Sequence, residues 1–406
     1  MSDPLHLVDA TMFWSPTGGG VRRYLQTKHA WLARDALWRH SIAVPRVAGR
    51  RDVASATPPL PSVPLPWSGG YRLPLRRRAI ARVLVDLAPD IIEAGDPYRV
   101  AWGALDASRA LGVPALAYCH SNIVALARLA APRRFAAAAA RAAERYACHV
   151  YRGFDLVLAP SRSMASALQE WGIARVACQP LGVDTAVFHP RARDRSWRER
   201  HGWSERTRVL VYAGRFAAEK HLDVLAAAVE RLGDPYVLIV IGAGPAAPPT
   251  SKRVIVLPFL TSASDLATAL ASADAFVHAG DQETFGLSAL EAMACGTPAV
   301  LRACAGLAEL AEGGSGALAV PSASPEAFAE AVAALFAGDR GEQSRAARRR
   351  AEASDWNVVF PSLVGHYRRL VGARRGDAAH ERRTDNVTRG PEQEAMREEA
   401  MRRAER

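Results

Sequence analysis

Two doubly wound α/β domains are predicted by three features of the sequence. These are its length of 406 residues, two series of short apolar runs alternating with Ala-rich helical stretches, and a turn-rich junction between the series. The length exceeds what one hydrophobic core comfortably serves. The first series reads LHLVDA, IAVP, IIEAG, ALAYCH and LVLAP; the second reads VLVYAG, VLIVIG, VIVLPF and AFVHAG. Uninterrupted apolar runs this short suit parallel strands covered by helices on both faces. The junction falls at Leu181–Pro190 and continues into the very basic RARDRSWRERHG. It sets a first domain at 1–184 and a second at 185–355, with a charged, apolar-poor tail at 376–406 that is either disordered or a lone solvated helix.

Hydrophobic residues make up 49% of the chain and charged residues 23%, the balance of a soluble globular protein. Every apolar run is broken before the roughly 18 residues a membrane span requires. The N-terminus MSDPLHLVDA lacks the basic and apolar regions of a signal peptide, so a cytoplasmic protein is expected. Five scattered cysteines without a CxxC argue against a disulfide framework or zinc site and read as small buried residues.

The net charge of +11 is lopsided, with 23 Lys and Arg against 13 Asp and Glu in residues 1–184, but 22 against 20 in 185–375. A basic first domain favours anionic partners. Nucleic acid is not expected among them, since no recognition motif accompanies the charge. Residues 54–75 are Pro-rich and expected to form an extended, exposed loop. LRRRAIARVLVDLA follows as an amphipathic basic helix. It is either a surface helix with a solvated Arg face or a docking surface for anionic lipid at the inner face of the cell membrane.

Chemistry concentrates in the second half. After the strand AFVHAG, the segment Glu283–Pro298 (ETFGLSALEAMACGTP) reads as a loop entering a helix that ends at Gly296. Unsatisfied N–H groups at such a helix start suit a diphosphate or sugar oxygen, and Gly286 permits close approach. Glu283 and Glu291 stand eight positions apart, or roughly 12 Å along a helix. That is too far to flank one scissile bond and suits clamping two ends of an elongated ligand. In VLVYAGRFAAEKHLDVLAAAV, Arg215 and Lys220 occupy a loop at a strand's carboxyl end, where two cations suit a diphosphate leaving group. The chain has only three lysines, Lys28, Lys220 and Lys252, and otherwise uses Arg, so Lys220 is not surface filler. Gly18, Gly19 and Gly20 precede a helix and are either a phosphate cradle or a plain turn. His120 ends the strand ALAYCH, a position open to a structural or a catalytic histidine.

The spacing Glu283 to Glu291 with Phe285-Gly286 between, the Arg215…Glu219-Lys220 pattern and Gly242-Ala243-Gly244-Pro245 together resemble the family-four (group 1) retaining GT-B glycosyltransferases. The resemblance spans about residues 5–375 and is denser in the second half. Leu181-Gly182-Val183-Asp184 matches the family's junction motif, with Leu where relatives carry Asn. The resemblance implies two Rossmann-like domains facing across a cleft, with a closing helix at about 356–375 packing back onto the first. It further implies that Glu283 contacts donor-sugar hydroxyls and Glu291 the nucleotide ribose. The backbone of Phe285, Gly286 and Leu287 would meet sugar and phosphate, Arg215 and Lys220 the diphosphate, and Leu257, Pro258 and Phe259 the base. Gly18, Gly19 and Gly20 would face the donor from the first domain, and His120 would lie near the reacting sugar.

The implied reaction is retaining transfer of a hexose, of mannose or glucose type, from a GDP- or UDP-sugar to a glycan or lipid-linked acceptor of envelope polysaccharide or glycolipid synthesis. The sequence has no DxD carboxylate pair, and Arg215, Lys220 and the helix start neutralise a diphosphate, so no metal or other cofactor is expected. The alternatives are a nucleotide-sugar epimerase on the same fold and a non-catalytic nucleotide-sugar-binding subunit.

Overall fold

The structure, a computed structural model, describes residues 3–15, 19–45, 57–65 and 70–376. The first half forms β1 (Leu5–Ala10), β2 (Trp38–Ala43), β3 (Ser62–Pro64), β4 (Arg72–Pro74), β5 (Ile91–Ala94), β6 (Ala115–Tyr118), β7 (Leu156–Ala159) and β8 (Val176–Cys178). Six of these make a parallel sheet in the order β2-β1-β5-β6-β7-β8, while β3 and β4 pair antiparallel as a separate hairpin. The second half contributes β9 (Arg208–Ala213), β10 (Tyr236–Ile241), β11 (Val254–Leu257), β12 (Ala275–His278), β13 (Ala299–Arg302) and β14 (Ala317–Val320). They form a parallel sheet in the order β11-β10-β9-β12-β13-β14. Both sheets reverse winding direction once, between β1 and β5 and between β9 and β12, and these switch points open crevices at the strands' carboxyl ends.

The central strands are buried on both faces, as their unbroken apolar runs require. Parts of the Pro-rich stretch depart from the extended, exposed loop expected of it. Leu60 is buried and its N–H donates to the Val44 carbonyl at 3.0 Å, and the following residues form the β3–β4 hairpin. The cysteines also divide, with Cys119, Cys148 and Cys295 buried but Cys178 exposed at the end of edge strand β8. No helix among the described residues is long and apolar enough to cross a membrane.

The chain returns to the first sheet at its end. Val183 bridges Asp355 between the domains, and Thr185 Oγ1 donates to the Asp355 carboxylate at 2.6 Å. From there residues 356–376 form a helix. Trp356 and Phe360 stack at 4.8 Å and lie against Tyr24 of the helix Gly20–Leu32. Two turns further, Tyr367 enters a buried hub around Lys28, whose Nζ lies within hydrogen-bond reach of Asp9 at 2.8 Å, Glu93 at 3.0 Å, Tyr24 at 3.0 Å and Tyr367 at 3.1 Å. The Tyr367 hydroxyl donates to the second Glu93 oxygen at 2.5 Å, and His40 Nε2 meets Asp9 at 2.5 Å. Burial pushes the Asp9 and Glu93 carboxyls up, with Lys28 opposing it in both. A set of charges this deep is tolerated only because each is paired and hydrogen-bonded.

Candidate functional site

The loops leaving β9 and β12 meet at the switch point of the second sheet. Lys220, on the 3₁₀ turn Ala218–Lys220, donates to Glu283 Oε1, and His278 at the end of β12 stands 3.1 Å from the same oxygen. The Gly280 N–H donates to His278 Nδ1 at 3.1 Å, which makes Nδ1 the acceptor and leaves the proton on Nε2, aimed at Glu283. Burial alone would push the Glu283 carboxyl up; Lys220 and the His278 hydrogen bond outweigh it and hold the group far below its ordinary range. Glu283 is therefore a carboxylate at neutral pH, fit to accept hydrogen bonds and unfit to give a proton.

Glycines shape this loop cluster. A Cβ on Gly242 would stand 1.9 Å from the Gly214 carbonyl, and one on Gly244 would stand 2.0 Å from that of Phe216. The Gly242-Ala243-Gly244-Pro245 motif thus lets the β10 loop lie directly on the loop bearing Arg215. On the other side, Gly286 has φ +95 and begins the helix Leu287–Ala294 with no side-chain cap, so the first N–H groups of that helix remain open toward the cleft.

Across the cleft stands the helix Gly20–Leu32, whose N-cap Gly19 also supplies no side-chain hydrogen bond. A Cβ on Gly20 would lie 3.5 Å from Leu287, so the two helix starts face each other. One turn along each, Arg23 donates to Glu291. His120 stacks on Tyr118 at 4.4 Å and meets the Tyr24 edge at 5.4 Å. Burial drives its imidazole down to about 4, and its buried Nε2 has no hydrogen-bond partner. The histidine is neutral at physiological pH and lines a recess with Asp9, Thr11, Glu93 and Gly95. Its carbonyl accepts from Thr284 Oγ1 at 3.1 Å, which fastens the second domain's loop to the first domain's strand end.

Of the residues anticipated from sequence, Lys220 and Glu283 are in direct contact, and Phe285, Gly286, Leu287, Glu291, Gly19, Gly20 and His120 surround the same cleft. Arg215 is turned to Glu219 at 2.6 Å, with its side chain 55% exposed. Leu257 ends edge strand β11 with Pro258 and Phe259 just after it, and the Leu257 carbonyl already accepts from Gly242 at 3.1 Å. Gly18 lies outside the described residues. Sequence reasoning passed over His278 and Arg23. The first was signalled by a histidine ending AFVHAG five positions before Glu283, the second by an arginine one turn after the glycine run. Among the described residues no group of three His, Cys, Asp or Glu is placed to hold a metal ion.

Comparison with known proteins agrees with this geometry. Residues 207–338 match the family described as Glycosyl transferases group 1, and residues 18–187 match Glycosyltransferase Family 4. The chain is 32% identical over 380 residues to a GDP-mannose-dependent alpha-(1-6)-phosphatidylinositol dimannoside mannosyltransferase of Mycobacterium tuberculosis, covering 89% of this chain and 95% of the relative. It is 34% identical over 322 residues to a GDP-mannose-dependent alpha-mannosyltransferase of Mycolicibacterium smegmatis, covering 78% and 83%. Among solved structures, sucrose-phosphate synthase from Thermosynechococcus elongatus superposes with a TM-score of 0.71 at 20% identity, over 91% of this chain and 100% of that one.

Proposed function

The chain belongs to the group 1, family 4 glycosyl transferases of GT-B fold, and on that premise we propose that it moves mannose from GDP-mannose to a lipid-linked glycan with retention of configuration. The observation that carries the reading is the convergence of Lys220 and His278 on an ionised Glu283 at the switch point, opposite His120. A carboxylate so held accepts hydroxyls of the donor sugar. Glu291, one turn into the helix Leu287–Ala294, takes the ribose hydroxyls, and the open helix start between the two acids takes the diphosphate. Lys220 and Arg215 stabilise the charge that grows on the leaving phosphate, so the reaction proceeds without a metal ion.

The acceptor hydroxyl attacks the sugar's anomeric carbon from the leaving-group face as the bond to the diphosphate breaks, and the departing phosphate oxygen takes the proton. His120, neutral and with Nε2 unpartnered, hydrogen-bonds a hydroxyl of the transferred sugar. Mannose is favoured over glucose by the names of the relatives, which also specify α linkages, the configuration of GDP-mannose itself. The exposed Arg76, Arg78 and Arg82 flank or lie on the helix Arg77–Asp86, whose Ile80 and Leu84 are buried, and they dock the first domain on anionic lipid at the cytoplasmic face.

The test is transfer by the purified chain from GDP-mannose and, separately, UDP-glucose to a phosphatidylinositol mannoside, followed by mass spectrometry and anomeric NMR. An α-mannosylated product from GDP-mannose is expected. Turnover of UDP-glucose alone, a β product, or interconversion of the nucleotide sugar without transfer each overturns the reading.

A further inference from the structure

Among the described residues, three pairs of an Arg or Lys with a Glu line the cleft: Lys220 with Glu283, Arg215 with Glu219, and Arg23 with Glu291. The first two lie within one domain. The third joins the domains, because Arg23 sits on the helix Gly20–Leu32 and Glu291 on the helix Leu287–Ala294. The Glu291 side chain is only 3% exposed, so its charge requires a partner at all times. A ribose bound there supplies hydroxyl donors to Glu291 and leaves the guanidinium of Arg23 in need of an anion.

The geometry offers one. The two helices face each other start to start, with Gly20 against Leu287 and, one turn on, Arg23 against Glu291. A diphosphate held at the start of Leu287–Ala294 lies one helical turn, about 5.4 Å, from the present position of the guanidinium. A change of arginine rotamer spans that distance. Arg23 therefore has two anions within reach along a single line.

Resting on the assignment of Glu291 to the ribose, we propose that Arg23 is a donor-binding residue that exchanges partners, leaving Glu291 for the donor's diphosphate when a nucleotide sugar enters. The first domain thereby supplies a third cation to the leaving group. The exchange leaves neither the buried carboxylate nor the partly buried guanidinium unpaired only if the ligand brings both ribose and phosphate. A nucleoside satisfies Glu291 but strands the guanidinium; a nucleoside diphosphate satisfies both. Arg23 thus makes the site select against ligands that lack phosphate.

The experiment is calorimetric titration of the full chain with GDP, UDP and the matching nucleosides, for wild type, Arg23→Gln and Arg23→Lys. For the base that wild type prefers, Arg23→Gln is expected to weaken the diphosphate by about tenfold or more, the cost of a lost charge-assisted hydrogen bond. It is expected to tighten the nucleoside several-fold by freeing Glu291. Arg23→Lys, which keeps the charge, recovers part of the diphosphate affinity. Equal shifts for both ligands, or tightening of both, overturn the exchange: the first marks a structural role and the second simple occlusion. If wild type binds neither diphosphate, the donor-site reading itself fails and takes this proposal with it.

Discussion

The hydroxyl of Thr284 donates to the carbonyl of His120 at 3.1 Å, so the residue after Glu283 is tied directly to the histidine of the opposite domain. The loop after β12 and the end of β6 are thereby registered against each other by one hydrogen bond. Thr284→Val keeps the shape and removes the donor. It is expected to lower kcat by about tenfold, with donor affinity from calorimetry nearly unchanged, since misplacement of reacting groups costs rate more than binding.

Lys220→Ala takes the paired cation from Glu283 and, on the proposed reading, from the donor's diphosphate. Loss of at least about 100-fold in kcat/KM is expected, the range found on deleting one group that stabilises transition-state charge. Melting of Lys220→Ala, Glu283→Gln and the double variant should show coupling: each single change leaves a largely buried partner without its counterpart, and the double change costs less than the sum. Strictly additive destabilisation would contradict the pairing.

His278→Leu leaves Glu283 ionised by Lys220 but free to rotate. A rise in donor KM of about tenfold is expected, with a smaller effect for an Asn replacement that donates to Glu283 from its amide.

The imidazole of His120 is held down to about 4 against an ordinary value of 6.5, chiefly by burial. A depressed value means that the unfolded chain binds the proton first. The contribution to stability is therefore complete above pH 6.5 and is lost as pH falls toward 4. Urea unfolding at pH 7.5 and 5.0 should show a smaller loss for His120→Asn than for wild type, by at most about 2 kcal/mol. An identical loss in both proteins would count against the buried neutral imidazole.

Glu309 also bridges the domains. Its carboxylate accepts from the Arg162 and Ser163 N–H groups at 3.1 and 2.8 Å, capping the helix Arg162–Glu170 from outside its own domain. Glu309→Ala should raise amide exchange at Arg162 and Ser163 about tenfold, matching a lost cap of about 1 kcal/mol, and widen the cleft in small-angle scattering.

Much of this was legible in the sequence because it is local. The loop-to-helix segment Glu283–Pro298 and the Arg215–Lys220 loop carry their spacing within a few residues, and apolar run length alone gave the two parallel sheets. What stayed hidden joins distant positions. Nothing near Arg23 indicates that it lies on Glu291, 268 residues away. His278 is a strand-end histidine like many others until Gly280 fixes its tautomer. The hub of Lys28, Asp9, Glu93 and Tyr367 draws single residues from four elements, and no periodicity links them. Leu60 was misjudged because proline content reports backbone stiffness and says little about which side chain turns inward.

That hub also bears on how the chain is made. Tyr367 reaches Lys28 over a separation of 339 residues, so the domain synthesised first lacks one of its buried partners until the second domain has also left the ribosome. Its two deep carboxylates wait through translation of the entire second domain. A stop codon anywhere upstream of Tyr367 would consequently injure the half of the protein farthest from it in sequence, leaving a fragment for proteases rather than a shortened enzyme.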